Sequence, residues 1–455
     1  MPDIIVIGGG PGGTAAATRA AQLGAEVVLV ERAEMGGSCV NRNCIPLTAM
    51  LGTIELYRRI CHAGDLGIEV GGASLNVQAM VERKDRIVGE MREGIEALLP
   101  TFGIEIMPGR AQILDARTVD VDGRRLEAQR GIIIATGARW AAAPADVEGI
   151  LRPDAGINLN PLPGRVVIWG SGAAEVEFAT LYAGLGVRVT MVIDGPYPLP
   201  NEDYEIGQRL QTILNTQGVD VLTNTRLMSA KQTDDGVRVT LQGAKGETTV
   251  TADGVLWLGR TANLEGVGVE RVGVKLKDGS VAVDDRQQTN VPGIYATGDV
   301  TGPPYYSSLA TAGGLAAAEN AMGRTRRVDR RFVPRYAFSI PEVAAVGLTE
   351  DEAMDAGYDV EVTNIALNTN PRAMGLGETD GGIKLVADKK RGRVLGIHIV
   401  GHRATEMIAE ATLGLQLETL SEDLAWAVRI HPTLTESLSE AARAVRGEAL
   451  YVPRF

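Results

Sequence analysis

Two cysteines five positions apart, Cys39 and Cys44, are the residues of this chain best suited to chemistry. On one regular helix their Cα atoms would lie roughly 8–9 Å apart, beyond the roughly 7 Å that a disulfide can bridge. We therefore expect Cys39 in an irregular turn that leads into a helix carrying Cys44. Backbone N–H groups at a helix start lower the pKa of a thiol, and the thiolate is the form that attacks disulfides. The pair is predicted to be a reversible redox disulfide.

Two other interpretations of the pair are ordinary buried cysteines and half of a metal site. A zinc site would be supported by a second cysteine pair, but the only other cysteine is Cys61, for which the sequence indicates no role. We therefore predict no metal site.

Length and charge limit the class of protein. The 455 residues, of which 45% are hydrophobic, predict a folded chain of several domains. The net charge of -12 argues against nucleic acid or an anionic membrane as the main partner. The sequence starts without a targeting signal and has no apolar run long enough to span a bilayer, so we expect a cytoplasmic protein. In a reducing compartment a close cysteine pair is more often catalytic than structural.

The first thirty residues have the pattern of a dinucleotide site. A buried strand at 3–7 precedes Gly8, Gly10 and Gly13, and an alanine-rich helix follows to about residue 23. A second strand, 26–31, ends in Glu31. The pattern places a pyrophosphate at the helix N-terminus and a ribose hydroxyl on the acid. A merely flexible glycine turn would not need that acid.

Two Ala-Thr-Gly motifs, at 135–137 and 296–298, predict one nucleotide-binding unit interrupted by an insertion. A helix is expected at 76–99, short strands at 104–127, a linker at 140–163 and a second strand-glycine-helix unit from 165. The last part reads as an antiparallel α+β domain, with strands at 336–346, 383–387 and 394–400 and helices from 403. The predicted fold is α/β, with two Rossmann-like domains and a C-terminal α+β dimerisation domain. The predicted boundaries are 1–145 with 265–328, then 146–264, then 329–455.

A histidine in the last domain is a candidate general base. His431 is followed by Pro432 and Thr433, and Glu436 is spaced to lie near it once a helix begins. A carboxylate on one ring nitrogen would raise the basicity of the other. The alternative is a loop histidine beside a helix cap.

Together, these motifs with Gly259-Arg260 and Pro341-Glu342 resemble the flavoprotein disulfide reductases, the class I pyridine nucleotide-disulfide oxidoreductases, and most closely the dihydrolipoyl dehydrogenases. The resemblance covers essentially the whole chain. It implies a homodimer in which His431 and Glu436 serve the cysteines of the other subunit, Cys39 exchanges with a small dithiol or disulfide, and Cys44 lies against the flavin. It also implies FAD, held by Gly8, Gly10, Pro11, Gly13, Glu31, Arg32, Gly37, Ser38, Thr136, Gly137, Gly298 and Asp299.

The chain departs from the family where a nicotinamide would bind. The family has a lysine at the position of Thr48, so Glu177 is expected to lack its partner and, if buried, to have a raised pKa. Glu175 replaces the third small residue of the second glycine motif, and Ala173 replaces a larger gate residue. The position at which an acid would hold the ribose of NADH is occupied by Ile193, and the acid Asp194 follows one place later. The candidate nicotinamide residues are Gly170, Gly172, Glu177, Asp194 and Gly259.

Three functions follow from these motifs. The first is a nicotinamide-dependent disulfide reductase or dihydrolipoyl dehydrogenase. The second is a flavin-dependent dithiol oxidase that passes electrons to oxygen or another acceptor, so the use of NAD(P) stays open. The third is a non-catalytic assembly subunit, against which the intact Cys39, Cys44, His431 and Glu436 count.

Overall fold

The computed structural model of the protein describes residues 1–144 and 146–452. Packing divides them into two units. The first contains Met1–Ala49, Gln78–Ala142 and Gly259–Arg330, and the second contains the described parts of Met50–Val77, Ala143–Leu258 and Arg331–Phe455.

The first unit is built on a parallel sheet of five strands. A three-stranded antiparallel sheet and two short strand pairs complete it. The large sheet has the strand order Ile294–Ala296, Gly131–Ile134, Ile4–Ile7, Val27–Glu31 and Glu105–Pro108. The smaller strands are Ala111–Ile113, Thr118–Val121, Arg124–Glu127, Ala138–Trp140 with Arg260–Ala262, and Leu276–Lys277 with Ser280–Val281. The main helices are Pro11–Gln22, Val77–Leu98 and Ser307–Ala321.

The strand Ile4–Ile7 forms the centre of this sheet because it has no polar face. Ile4 and Val6 pack in one cluster with the alanines of Pro11–Gln22, while Ile5 and Ile7 pack in another on the opposite face. Successive side chains of a strand point to opposite faces, so a continuous apolar run marks a strand covered on both sides. Its carboxyl end therefore delivers Gly8 to the sheet edge.

The second unit contains another five-stranded parallel sheet and a three-stranded antiparallel sheet that the sequence did not predict. The parallel strands are, in spatial order, Val219–Leu222, Arg188–Val192, Arg165–Trp169, Gly254–Trp257 and Ile150–Leu151. The antiparallel strands are Arg226–Thr233, Gly236–Gly243 and Gly246–Ala252. The helices are Pro153–Asn158, Ala173–Gly184 and Tyr204–Thr216.

The C-terminal part of the second unit has the predicted antiparallel sheet, covered by helices. Its strand order is Arg335–Ala337, Glu342–Gly347, Val394–Gly401, Gly382–Asp388 and Val360–Ala366. The helices are Glu350–Asp355, Pro371–Leu376, Ala404–Gln416, Ser421–Trp426 and Glu436–Val445. The fold class expected from the sequence, with two Rossmann-like domains and a C-terminal α+β domain, is confirmed.

Three local predictions were wrong. The expected linker 140–163 contains the strand Ile150–Leu151, which joins the second parallel sheet, and a short helix. The expected strand 336–346 is two strands, because Pro341 lacks the N–H that a ladder needs. Cys39 lies in a one-turn helix, Gly37–Asn41, and not in an irregular turn. The irregular residue is Arg42, with φ -137° and ψ -22°, just before the helix Cys44–Cys61 begins.

Candidate active site

The first glycine loop and Glu31 form a cradle at the carboxyl edge of the first sheet. Glu31 accepts hydrogen bonds from the N–H groups of Gly9 at 2.6 Å and Ala33 at 2.8 Å. Gly13 must be glycine, because a β-carbon there would lie 1.8 Å from the carbonyl oxygen of Gly8. Pro11 starts the helix, where its missing N–H is not needed. Gly10, which precedes the helix, has no side chain to cap it, so the helix N-terminus is left open to an anion.

The two Ala-Thr-Gly segments and the cysteine loop close around the same cradle. Gly37, at φ 58°, is so near that a β-carbon on it would lie 2.7 Å from the Cα atom of Gly10. The Asn263 side chain links Arg32 to the first Ala-Thr-Gly segment. It accepts a hydrogen bond from Arg32 at 3.3 Å and donates one to the Thr136 carbonyl at 3.1 Å. The backbone N–H of Asn263 also donates to the Gly137 carbonyl at 2.9 Å.

A polar atom in the first Ala-Thr-Gly segment has no partner among the described residues. The hydroxyl oxygen of Thr136 is buried and has no hydrogen bond to any residue that the structure describes. A buried hydroxyl without a partner is costly and is expected to contact a bound molecule. Together with the cradle of Gly8, Gly10 and Glu31, it fits a dinucleotide such as FAD, whose pyrophosphate would rest on the helix N-terminus.

Asp299 lies at the end of this cradle, in the first turn after Gly298. Its carboxylate forms an ion pair with Arg260 at 3.5 Å. Burial raises the pKa of Asp299, and the charge and hydrogen bond of Arg260 oppose that rise. The Arg260 guanidinium also lies over the rings of Trp140 and Tyr305, at 5.2 and 5.7 Å from the ring centres.

The thiols of Cys39 and Cys44 are hydrogen-bonded to each other. The break at Arg42 and Asn43 brings them together, because it ends the short helix of Cys39 before the long helix of Cys44 starts. Ser38 stabilises the break: its carbonyl accepts from both residues, at 2.9 Å each, and its hydroxyl accepts from the Asn43 side chain at 2.7 Å.

The pKa values of the two thiols are shifted in opposite directions. The hydrogen bond from Cys44, opposed by burial and helped by Ser307, lowers the pKa of Cys39 to about 7. The same hydrogen bond, burial and the negative charge on Cys39 raise the pKa of Cys44. Near neutral pH Cys39 is therefore partly a thiolate and is the more nucleophilic sulfur, whereas Cys44 is the more basic one.

Sequence reasoning missed Ser307 and did not assign a role to Arg260. Ser307 begins the helix Ser307–Ala321, and its hydroxyl lies 3.3 Å from the Cys44 sulfur. The charge of Arg260 lowers the pKa of both cysteines. A serine at a helix start signals only a cap, so nothing in the sequence pointed from residue 307 to residue 44.

His431 and Glu436 lie together in the C-terminal domain. The Nδ1 atom of His431 is 2.9 Å from Glu436 Oε1, and the other carboxylate oxygen accepts from the N–H of Thr433 at 2.8 Å. Burial raises the pKa of Glu436, but these two hydrogen bonds, together with the positive charges of His431 and Arg429, make the net shift downward. Asn370, also missed in the sequence, donates to the Thr433 carbonyl at 3.0 Å and to Ser437 at 2.8 Å. The histidine loop is thus held from two sides.

The second glycine loop differs from the first in what fills it. A β-carbon on Gly172 would lie 2.7 Å from Glu175 Oε2, and one on Gly170 would lie 2.9 Å from Glu175 Oε1. The Glu175 carboxylate therefore lies on the loop itself. Ile193 is buried after the strand Arg188–Val192, while Asp194 is exposed and 3.9 Å from Arg226.

Glu177, whose lysine partner in the family is replaced by Thr48, has another partner in the structure. Its carboxylate accepts from the backbone N–H of Phe338 at 2.9 Å. The Thr48 hydroxyl, which replaces the family's lysine, donates to the carbonyls of Cys44 at 2.7 Å and Ile45 at 3.2 Å within its own helix. The Gly259 carbonyl accepts from Ala141 at 2.8 Å.

Outside these sites, Cys61 is exposed and hydrogen-bonds with Tyr57, whose pKa this contact raises. Among residues 1–144 and 146–452, no group of three or more His, Cys, Asp or Glu side chains is placed to hold a metal ion. None of the helices in the same residues has the length and apolarity to cross a membrane.

A parallel-sheet FAD cradle beside a dithiol, followed by a separate α+β domain, defines a flavin-dependent thiol-disulfide oxidoreductase. The chain belongs to the pyridine nucleotide-disulphide oxidoreductases: residues 2–324 match that family and residues 333–442 match its dimerisation domain. It is accordingly an FAD-dependent oxidoreductase that acts on a sulfur group. Membership implies FAD and NAD(P) as the redox cofactors.

Curated relatives and solved structures agree with this placement. The chain is 37% identical to dihydrolipoyl dehydrogenase of Thermus scotoductus, covering 99% of this chain and 98% of that one. It is 33% identical to a dihydrolipoyl dehydrogenase of Bacillus subtilis, covering 99% of both. The structure of Mycobacterium tuberculosis LpdA superposes with a TM-score of 0.89 at 30% identity, covering 97% of this chain and 99% of that one. The HOCl-induced flavoprotein disulfide reductase RclA of Escherichia coli gives 0.85 at 26%, covering 97% and 99%.

Proposed function

We propose that the protein oxidises a small dithiol, or reduces the corresponding disulfide, through the Cys39–Cys44 pair and FAD. The observation that carries this proposal is the hydrogen bond between the two thiols beside Ser307, which lowers the pKa of Cys39 to about 7. A dithiol substrate is also the chemistry of the curated dihydrolipoyl dehydrogenases that the chain resembles.

In the oxidative direction a substrate thiolate attacks the Cys39 sulfur of the Cys39–Cys44 disulfide and forms a mixed disulfide, releasing Cys44 as a thiolate. The second substrate thiol loses its proton to His431 and attacks the substrate sulfur of the mixed disulfide. The substrate leaves as a disulfide and Cys39 is released, so two electrons now reside on the cysteine pair. FAD held by the cradle of Gly8, Gly10, Gly13 and Glu31 would supply the two-electron acceptor that this step needs, and the Cys39–Cys44 disulfide would form again.

His431 is proposed to serve the cysteine pair of a second subunit in a homodimer. Its ring is exposed in the single chain, with 64% of the side chain accessible. Just before it, Trp426, Val428 and Ile430 are 73%, 99% and 81% exposed, an apolar run that a monomer rarely leaves in water. Glu436 holds Nδ1, which leaves Nε2 free to exchange a proton with a thiol.

A second candidate function is a dithiol oxidase that delivers the electrons to oxygen or another acceptor. It is favoured by the position of the Glu175 carboxylate on the second glycine loop. Two further residues favour the oxidase: Ile193 lies where an acid would hold the ribose, and Thr48 replaces a lysine.

Anaerobic reduction of the bound flavin tests both candidates. We expect dihydrolipoamide or dithiothreitol to bleach the visible flavin band of the holoenzyme, and a Cys39→Ser/Cys44→Ser variant to stay yellow. NADH and NADPH are compared in the same stopped-flow cell. Reduction by either at about 1–10³ s⁻¹ supports the nicotinamide-dependent enzyme, and reduction by dithiol alone supports the oxidase. Failure of every dithiol would sink both and favour a non-catalytic subunit.

A further inference from the structure

The second glycine loop keeps the backbone of a dinucleotide site. Gly172 has φ -77° and ψ 179°, and its counterpart Gly10 in the first unit has φ -75° and ψ -177°. Gly170 and Gly8 both have positive φ, at 134° and 107°. In each unit the loop leads directly into a helix of twelve residues. The backbone N–H groups and the helix N-terminus therefore form an anion cradle in both units.

The side chains on the two loops differ. In the first unit the fifth residue after the strand-end glycine is Gly13, and a β-carbon there would lie 1.8 Å from the Gly8 carbonyl oxygen. In the second unit this residue is Glu175. Since Glu175 has a β-carbon, the helix Ala173–Gly184 cannot approach the strand as closely as the first helix does.

The Glu175 side chain also folds back over the loop. Its two carboxylate oxygens lie 2.9 and 2.7 Å from the places where β-carbons of Gly170 and Gly172 would be. The second of these places is open in the first unit, where the nearest atom to a β-carbon on Gly10 would be 3.8 Å away, and in a dinucleotide site this glycine lets the pyrophosphate reach the backbone. Here a negative carboxylate takes the space and the favourable end of the helix dipole.

The second unit also lacks the acid that would hold a ribose, as the strand register shows. Ile7 pairs with Val30, and the next residue is Glu31, the acid of the first site. Trp169 pairs with Val192 in the second sheet, so the equivalent residue is Ile193, which is 1% exposed. A buried isoleucine offers no hydrogen bond to a ribose hydroxyl. The residues of this loop do not fit the NAD(P) that family membership implies.

We propose that the Glu175 carboxylate is a resident anion that closes the second glycine loop to a dinucleotide pyrophosphate, so that NAD(P)H is not the electron partner of this enzyme. The proposal rests on the proposed function of the same protein, because it concerns which partner exchanges electrons with the flavin besides the dithiol. Binding at the loop would require the carboxylate to move and two negative groups to share one helix N-terminus.

Binding of NADH and NADPH to the FAD-loaded protein tests the proposal. Titration calorimetry compares the wild type with Glu175→Gly, which opens the loop, and Glu175→Gln, which keeps the size and removes the charge. We expect a Kd above about 1 mM for the wild type, weaker than the common range of KM values. Glu175→Gly should tighten binding at least tenfold, with Glu175→Gln between the two.

A third variant tests whether tighter nucleotide binding depends on the Glu175 charge itself or follows from removing any negative charge of the second unit. Glu247→Gln removes the negative charge of an exposed residue in the antiparallel strand Gly246–Ala252 without touching the loop. It should leave nucleotide binding unchanged, and a gain equal to that of Glu175→Gln would refute a specific role for Glu175. Because glycine weakens a helix by roughly 1 kcal/mol, Glu175→Ala is the alternative opening variant if Glu175→Gly fails to fold.

Two results would overturn the proposal: micromolar binding of NADH or NADPH by the wild type, or no tightening in any folded Glu175 variant. Dithiol bleaching of the same samples is independent of the loop. Loss of bleaching would contradict the proposed function, while the binding data would still decide the role of Glu175.

Discussion

The Ser307 hydroxyl lies 3.3 Å from the Cys44 sulfur and also acts on Cys39. Residue 307 begins a long helix, so the hydroxyl and the helix N-terminus are both next to the reactive pair. A hydrogen bond to a charged sulfur stabilises the thiolate over the thiol. This hydrogen bond from Ser307 lowers the pKa of both cysteines, so removing it should change the pH at which they ionise.

We expect Ser307→Ala to raise the pH at which Cys39 becomes a thiolate, by about one pH unit, because one stabilising hydrogen bond is lost. Alkylation of the reduced protein by iodoacetamide reports this midpoint, which should lie near the Cys39 pKa of about 7 before the change. Below the midpoint, the rate should fall about tenfold for each pH unit. A Cys61→Ser background removes the exposed third thiol.

Two matched variants control for this effect. Ser308→Ala removes the hydroxyl of the exposed neighbour and should leave the midpoint in place. Ser307→Thr keeps the hydroxyl and should restore the midpoint, whereas the equally shaped Ser307→Val should not. Identical midpoints for the threonine and valine variants would show that the hydroxyl is irrelevant.

Cys39→Ser should lower the pKa of Cys44. Its pKa is raised first by the hydrogen bond with Cys39, then by burial and then by the Cys39 charge, and the substitution removes the sulfur that carries the charge. If Cys44 lies against the flavin, its thiolate should donate charge to the oxidised ring and produce a new long-wavelength absorbance. A pH titration of the spectrum measures it, and Cys44→Ser should show no such band. An unchanged spectrum of the Cys39→Ser variant up to alkaline pH would place Cys44 away from the flavin.

Mixed dimers test whether His431 serves the other subunit. His431→Gln alone should slow the thiol step by roughly 10²- to 10⁴-fold, because a positioned base is lost. A heterodimer of a Cys39→Ser chain and a His431→Gln chain should contain one intact site and recover about half of the wild-type activity. Verified heterodimers as inactive as both parents would show that each chain uses its own histidine.

Lys384 provides a test of stability away from the catalytic residues. It is completely buried and donates to Asp203, Glu205 and Glu350 at 2.9, 2.9 and 2.6 Å. Burial lowers its pKa, but the three carboxylates outweigh burial and the net shift is upward. A cation with a raised pKa stabilises the fold fully below its unfolded pKa and loses that effect only as pH rises through the folded value. At neutral pH the whole contribution is therefore present.

Lys384→Met should lower the free energy of unfolding by about 3–5 kcal/mol at pH 7, because three carboxylates lose their buried cation. Urea denaturation measures the difference. The control is Lys389→Met, which removes an exposed lysine 3.4 Å from Glu361 and should change stability by at most about 1 kcal/mol. Equal effects of the two substitutions would contradict the importance of the buried cluster.

The sequence by itself determined the fold class and the local elements of the cofactor cradle. The strand Ile4–Ile7, the glycines after it and the acid at Glu31 are contiguous in the chain, so periodicity and turn chemistry suffice to predict them. Counting along the second unit also identified Ile193, and the register of Trp169 with Val192 places it at the same point of the sheet.

Only the tertiary structure decided which distant side chains meet and which way they turn. Ser307 and Cys44 are 263 positions apart, and Glu177 and Phe338 are 161 apart, so no local pattern could pair them. The sequence showed a glutamate at 175, but the rotamer that lays its carboxylate on Gly170 and Gly172 depends on the packing around the helix start. Local patterns follow from backbone geometry, whereas these contacts depend on how the sheets and helices pack.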